Sequence, residues 1–283
     1  MLIGINSYVA RYFSSRYLKS NRLVKISFSN LRPWHANYLD VIRKTFYSHF
    51  SNDPTTVISF IGKRFFEDEK DHKRNNNFVN FELNKRIFEN LKLLGNVNKF
   101  VIFGSASEYG FSEGPYYETS ELNPSCSYSE SKAIQSQYFG SANCKSNASI
   151  IIIRPTTIYG PNQNGNQLIP SLLKAIKNNT KFQIKHPCSL RDYLNVHDLV
   201  DAVFKAATKQ LTGTEIFNVG SGTLTRTSVI VNTLARQYNK NQYMLNDIVK
   251  TDFNSQYKGV SISKAQIMLN YMPFFTTFNH TFI

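Results

Sequence analysis

The chain predicts an α/β fold: a doubly wound parallel sheet with a smaller, interleaved C-terminal lobe. Three observations carry that expectation. Short apolar runs alternate with helix-periodic stretches over residues 1–160, the order in which parallel strands and crossover helices follow one another. Ile150, Ile151, Ile152 and Ile153 stand in a row, and a run apolar at every position belongs to a strand covered on both faces. Beyond Gly160-Pro161 the alternation thins, and the elements of residues 161–283 are too few for a second large domain. A chain of 283 residues has the length for one full core plus a lobe.

The elements follow in order. Residues 1–5 form a short apolar strand, and residues 7–18 place Val9, Tyr12, Phe13, Tyr17 and Leu18 at helical spacing. Residues 24–28 and 57–61 read as strands, the latter entered through the Asp53-Pro54 turn. Helical periodicity covers 78–94, and a strand over 100–103 closes on Gly104. Residues 128–139 form a helix entered through Pro124 and a cluster of serines. The strand over 148–154 holds the isoleucine run. In the lobe, 168–177 and 198–208 look helical and 215–219 forms a short strand. Residues 162–167, 187–191 and 239–242 read as loops. There is no internal repeat and no low-complexity tail.

Composition narrows the function classes. Hydrophobic residues make up 41% and charged residues 18%, the balance of a soluble globular protein. No apolar run reaches the ~20 residues of a membrane span, so no membrane partner is expected. Cys126, Cys144 and Cys188 lack metal spacing and leave one thiol unpaired, which fits reduced thiols in a cytoplasmic protein. Cys126 and Cys188 are expected to be small fillers. The net charge of +14 raises the question of nucleic acid. The positive residues are spread along the chain, and the stretch 63–74 mixes both signs. No aromatic platform or zinc-finger spacing accompanies them, so no nucleic-acid partner is expected. A basic surface that draws a diphosphate-bearing small molecule accounts for the charge. The first 39 residues lack Asp and Glu, as an organelle transit peptide does. They also supply the first strand and helix, so they are read as part of the fold.

Four short segments carry chemistry. Tyr128 and Lys132 lie one turn apart on the same helix face. An ammonium beside a phenol favours the phenolate. A phenol tuned down from its usual ~10 can pass a proton to or from an oxygen at neutral pH. The turn Gly4-Ile5-Asn6-Ser7-Tyr8-Val9-Ala10 joins the first strand to the first helix. Such a turn lets backbone approach a pyrophosphate at a helix N-terminus, and its small residues are Gly4, Ser7 and Ala10. The second strand ends in Ser27-Phe28-Ser29-Asn30, with no acid for a ribose 2′-hydroxyl. Arg32 lies just beyond, which favours NADP with NAD as the alternative. Gly104-Ser105-Ala106-Ser107-Glu108-Tyr109-Gly110 follows a strand at its carboxyl end, where open α/β sheets bind ligands. A serine there can bond a substrate oxygen. His197, beside Asp198 at a helix start, is read as a structural hydrogen-bonding residue.

Together these segments resemble the extended short-chain dehydrogenase/reductase family, and within it the sugar-nucleotide epimerase/dehydratase group. Further segments agree: Val57 to Gly62, Asn80 in the following helix, Arg154-Pro155-Thr156-Thr157-Ile158-Tyr159-Gly160-Pro161, Arg191-Asp192 and Phe217 to Gly222. The resemblance spans almost the whole chain and implies a Rossmann-like dinucleotide domain over residues 1–160. Residues 161–283 would then form a substrate lobe that returns elements to it. It also implies catalytic roles for Ser105, Tyr128 and Lys132, with Lys132 also bonding the nicotinamide ribose. Gly4, Ser7, Ala10, Arg32, Phe60, Ile61, Gly62, Arg64 and Asn80 would belong to the cofactor cleft. Ser105, Thr157 and Arg191 would touch a nucleotide sugar, Arg191 through its diphosphate.

Departures from the pattern narrow the reaction. Dehydratases of the group carry an Asp-Glu pair straight after the serine or threonine, and here Ala106 and Ser107 stand there. Thr157 replaces an asparagine found in many members. The expected activity is reduction of a 4-keto sugar nucleotide, as in deoxysugar and surface-polysaccharide biosynthesis. A nucleotide-sugar 4-epimerase is the alternative, and a catalytically silent dinucleotide-binding scaffold is a reading of another class. The resemblance implies pairing as a homodimer through two helices of the nucleotide layer. No metal is expected.

Overall fold

The computed structural model describes residues 1–4, 6–17, 25–26, 44, 54–63, 72–92, 96–110, 114–141, 147–163, 166–184, 186–240 and 259–278. Its main sheet contains β1 (Leu2–Ile3), β2 (Lys25–Ile26), β3 (Thr55–Ser59), β4 (Val97–Phe103), β5 (Ser149–Pro155) and β8 (Thr214–Val219). Their order is β2-β1-β3-β4-β5-β8, and every described pairing in it is parallel. The order reverses at β1, so a crevice opens at the carboxyl ends between β1 and β3.

The isoleucine run explains why the sheet is buried on both sides. Successive strand residues point to opposite faces. Ile151 and Ile153 pack with Ala10, Phe13 and the helix α6 (Val196–Thr208), whereas Ile150 and Ile152 pack with Ile87, Phe88 and Phe139 on the other face. All four are at most 2% exposed, so each face of β5 stabilises a separate apolar layer.

Helix α1 (Tyr8–Tyr17) covers the first face beside α6. The second face carries a composite helix: α2 (His72–Asn77), a π-helical turn (Phe78–Glu82) and α3 (Leu83–Lys92). This helix starts six residues before the expected position 78, because the asparagine-rich stretch 75–77 gives no apolar period. Helix α4 (Ser127–Gly140) packs beside it.

A second sheet of three strands, β6 (Thr157–Tyr159), β7 (Leu190–Asn195) and β9 (Leu224–Arg226), runs in the order β6-β7-β9. Helices α5 (Leu168–Asn178) and α7 (Thr227–Gln237) form the lobe core with Tyr159 and Tyr193. The lobe strands β6 and β9 and the helices α7 and α8 (Ser263–Leu269) have no counterpart in the sequence reading. The expected loop over 187–191 is corrected at its end, since Leu190 and Arg191 already pair with Arg226 and Thr225. Cys126 is exposed at the start of α4, so it does not fill the core as expected. Arg32, Arg64, Cys144 and the segment 27–30 lie outside the described residues.

Candidate active site

A cavity of about 300 Å³ opens at the carboxyl ends of β1, β3, β4 and β5. Ser7, Tyr8 and Val9 line it from the start of α1, and Phe60, Ile61, Gly62 and Lys63 from the end of β3. Ser105 enters after β4, Tyr128 and Lys132 from α4, Thr157 from β6 and Arg191 from β7. The cavity therefore brings together Ser105, Tyr128, Lys132, Thr157 and Arg191. Among its described lining residues, every charged side chain is basic: Lys63, Lys132 and Arg191. Such a lining favours an anionic ligand.

Local sequence places each group. Gly4 holds φ at +78°, and a side chain there would come within 3.1 Å of the Phe60 carbonyl carbon. Glycine thus lets the first turn press against the end of β3. Ser7 caps α1 by accepting the Ala10 N–H at 3.2 Å. The amides of Tyr8 and Val9 lack partners within the helix and sit at its positive end, and both residues line the cavity. Ala10 is fully buried under the sheet and does not line the cavity. Neither does Gly4.

Two hydrogen-bond chains lock α4 to the strand ends. Asn80, in the π turn, accepts the Lys63 N–H at 2.8 Å and donates to the Lys63 carbonyl at 3.0 Å. It also donates to Ser131 at 3.0 Å, and Ser131 donates to the Tyr128 carbonyl at 2.7 Å. In parallel, Ser59 donates to Asn84 at 2.6 Å, Asn84 to Gln135 at 2.9 Å, and Gln135 to the Phe103 carbonyl at 2.9 Å. Asn80 acts from behind the cavity wall.

Lys132 is 2% exposed, and its Nζ donates to the Phe103 carbonyl at 2.6 Å. Burial pulls its ammonium down to about 8, opposed by the Glu108 carboxylate. Gly62 leaves room for it, since a side chain there would come within 3.2 Å of Nζ.

Ser105 begins a short 3-10 turn (Ala106–Tyr109) as its cap. Its Oγ accepts the Ser107 N–H at 3.2 Å and lies 2.8 Å from the Ser107 hydroxyl. Its own N–H is taken by Glu108 at 2.6 Å. Glu108 was not singled out from sequence, although Ser105-x-x-Glu108 is a capping-box spacing. Asp192 also has a structural part. Its buried carboxylate accepts the N–H groups of Ser221 at 2.8 Å and Gly222 at 3.1 Å. His197 and Asp198, at the start of α6, both make structural hydrogen bonds. Asp198 accepts the N–H groups of Phe274 and Phe275, while His197 packs edge-on against Tyr12 and gives its backbone N–H to Asn195.

The NAD-dependent epimerase/dehydratase family model matches residues 1–220. The chain belongs to that family. Among curated relatives of this family member, dTDP-4-dehydro-6-deoxyglucose reductase of Escherichia coli is 29% identical over 225 residues, 77% of this chain and 70% of that enzyme. Among solved structures, UDP-glucose 4-epimerase of Thermotoga maritima with UDP-glucose superposes with a TM-score of 0.79 at 17% identity. The match covers 96% of this chain and 93% of that one. RMD of Pseudomonas aeruginosa complexed with NADPH superposes at 0.74 and 18% identity, covering 96% and 92%. Both structures share the family's doubly wound fold.

Proposed function

We infer that this protein is a nicotinamide-dinucleotide-dependent oxidoreductase that reduces a 4-keto sugar carried on a nucleoside diphosphate. The carrying observation is the convergence of Ser105, Tyr128 and Lys132 on one basic cavity at the switch point of the sheet. The likeness to the E. coli reductase over 77% of the chain supports reduction as the direction. The absence of any carboxylate among the described cavity-lining residues argues against expulsion of water.

The pocket suits a dinucleotide. The helix N-terminus at Tyr8 and Val9 would meet the pyrophosphate, and Gly62 leaves its space beside Lys132. A bound nicotinamide supplies the hydride. Tyr128 gives the proton to the ketone oxygen as that oxygen gains charge. Lys132 holds a positive charge close to that proton donor and bonds the cofactor ribose. Ser105 donates its hydroxyl to the same oxygen and fixes the carbonyl for attack. Arg191 takes the diphosphate of the substrate, and Thr157 faces the sugar. Without an acid visible after the second strand, and with Arg32 in the sequence there, NADP is the favoured cofactor.

The test is a panel of sugar nucleotides and their 4-keto forms with NADPH and NADH. A reductase consumes one reduced nicotinamide per product formed. Turnover with no net change in nicotinamide absorbance would identify a 4-epimerase. Binding of cofactor without any turnover would leave a scaffold.

A further inference from the structure

Glu108 is a fully buried carboxylate with no place in the roles assigned above. One of its oxygens accepts the Ser105 N–H at 2.6 Å, and the other accepts Nε of Arg154 at 2.9 Å. Arg154 comes from β5 and is itself 2% exposed. It continues the network by donating to the Tyr109 hydroxyl at 2.8 Å, and that hydroxyl donates to Asn218 at 2.7 Å. The guanidinium also stacks over the Tyr109 ring at 5.0 Å.

Gly104 shows how tightly this pair is fitted. A side chain at that position would come within 2.6 Å of the Glu108 carboxylate and 2.9 Å of the Arg154 stem. The residue before Ser105 must therefore be small enough to admit the ion pair beneath the strand end. The Phe103 carbonyl, one residue earlier, takes Lys132 and Gln135. The end of β4 is thus held by two charged groups, Lys132 on the Phe103 carbonyl and Glu108 on the Ser105 N–H.

We propose that Glu108 is a positioning residue for this site: it fixes the Ser105 backbone and places a buried negative charge at the same strand end whose Phe103 carbonyl holds Lys132. The inference rests on the assignment of Ser105 and Lys132 to the chemistry. Glu108 meets Arg154 from β5 and the Ser105 N–H of its own turn; burial pushes its carboxyl upward, and Arg154, Ser136, the Ser105 N–H and Lys132 oppose that and favour the charged form. Arg154 and Lys132 are the cations among them, so one carboxylate answers a buried guanidinium and a buried ammonium. Leaving a buried cation unpaired is costly, and Lys132 answers by releasing its proton more readily.

The experiment titrates Lys132 directly. Acetic anhydride labels the neutral amine, and mass spectrometry of the Lys132 peptide across pH gives its midpoint without any need for turnover. Glu108→Gln keeps an acceptor for the Ser105 N–H and removes the charge. Its Lys132 midpoint should fall by about one pH unit or more relative to the parent. Glu108→Asp keeps the charge and shortens the reach, so it should hold the midpoint near the parent value. If substrate turnover has been found, Glu108→Asp should lower kcat about tenfold with KM nearly unchanged, as expected for a misplaced hydrogen-bond donor. Should Glu108→Gln fail to fold, hydrogen exchange at the Ser105 amide in Glu108→Asp should accelerate relative to the parent, because the shortened carboxylate no longer reaches that N–H; an unchanged rate overturns the proposal. An unmoved midpoint in the folded charge-removing variant overturns the proposal. A parent that turns over no sugar nucleotide would sink the functional reading while leaving the titration result intact.

Discussion

The Nζ of Lys132 donates to the carbonyl oxygen of Phe103 at 2.6 Å, which ties the helix carrying Tyr128 to the last residue of β4. The next residues are Gly104 and Ser105. Lys132, with Gln135 donating to the same carbonyl at 2.9 Å, thus sets the spacing between the strand that presents the serine and the helix that presents the phenol. The arrangement has a cost, because the ammonium that fixes the geometry is itself buried.

Removing the phenolic hydroxyl tests the chemistry separately from the fold. Tyr128 is half-buried at the cavity wall, and its backbone carbonyl is held by Ser131. Tyr128→Phe keeps the ring and that bond. Turnover should fall by about 10²–10⁴, the usual worth of a positioned proton donor, with the thermal midpoint nearly unchanged. Steady-state kinetics and a melting curve on the same preparation check it.

Lys132→Met should separate stability from activity. The lysine pKa is lowered from 10.5 to about 8, so the folded state binds fewer protons than the unfolded chain between those values. Stability contributed by this group therefore rises with pH across that window, and the burial cost is fully present below it. The shift corresponds to up to about 3 kcal/mol. At pH 7 the methionine variant should be at least as stable as the parent to denaturant while losing turnover. A marked loss of stability would mean that the bond to Phe103 outweighs the cost of burying the charge.

The same titration predicts an alkaline limb. If protonated Lys132 is the active form, kcat/KM of the free enzyme should decline as pH rises through about 8. The limb should disappear when Lys132 is replaced by Arg in any variant that retains turnover, because a guanidinium keeps its proton.

Much of this architecture was legible in the sequence, and the exceptions have physical causes. The isoleucine run gave β5 because four β-branched apolar residues in succession suit a strand covered on both faces, as its two flanking clusters show. β7 was hidden because Arg191 and Asp192 look like loop residues. Asp192 is tolerated in the strand only because Ser221, Gly222 and Thr156 meet its carboxylate. α7 was hidden by its β-branched residues, which weaken helix propensity. Burial of Ile230, Val231, Leu234 and Ala235 against the lobe core overrides that preference. In the site, the tyrosine–lysine spacing pointed to the cavity wall directly. The partners that clamp it, Gln135 and Asn84, carry no pattern of their own, and Glu108 showed only the capping-box spacing to Ser105.

Arg191 offers a split between binding and chemistry. It lines the cavity from β7, away from Ser105 and Tyr128 in sequence and element. If it holds the substrate diphosphate equally in ground and transition states, Arg191→Ala should raise KM about tenfold or more with kcat little changed. Arg191→Lys should recover only part of the loss, since an ammonium lacks the bidentate fork. A fall in kcat at unchanged KM would place Arg191 in the chemical step instead.

Asp198 anchors the C-terminal segment, and its replacement tests how that segment is held. Its two oxygens accept the N–H groups of Phe274 and Phe275, each at 2.9 Å. Phe275 is 8% exposed, so the bonds hold an aromatic ring in place. Asp198→Asn keeps one acceptor but turns an NH2 toward the other N–H. One charge-assisted bond is lost and one buried donor is left unmet, at a cost of about 1.5–3 kcal/mol. The Tyr271 hydroxyl still donates to the Gly220 carbonyl at 2.9 Å, so the loosening should begin beyond residue 271. Hydrogen exchange should therefore accelerate at Phe274 and Phe275 and stay slow at Ile230 and Leu234 in the lobe core. Acceleration at all four sites would show that the segment and the lobe unfold as one unit.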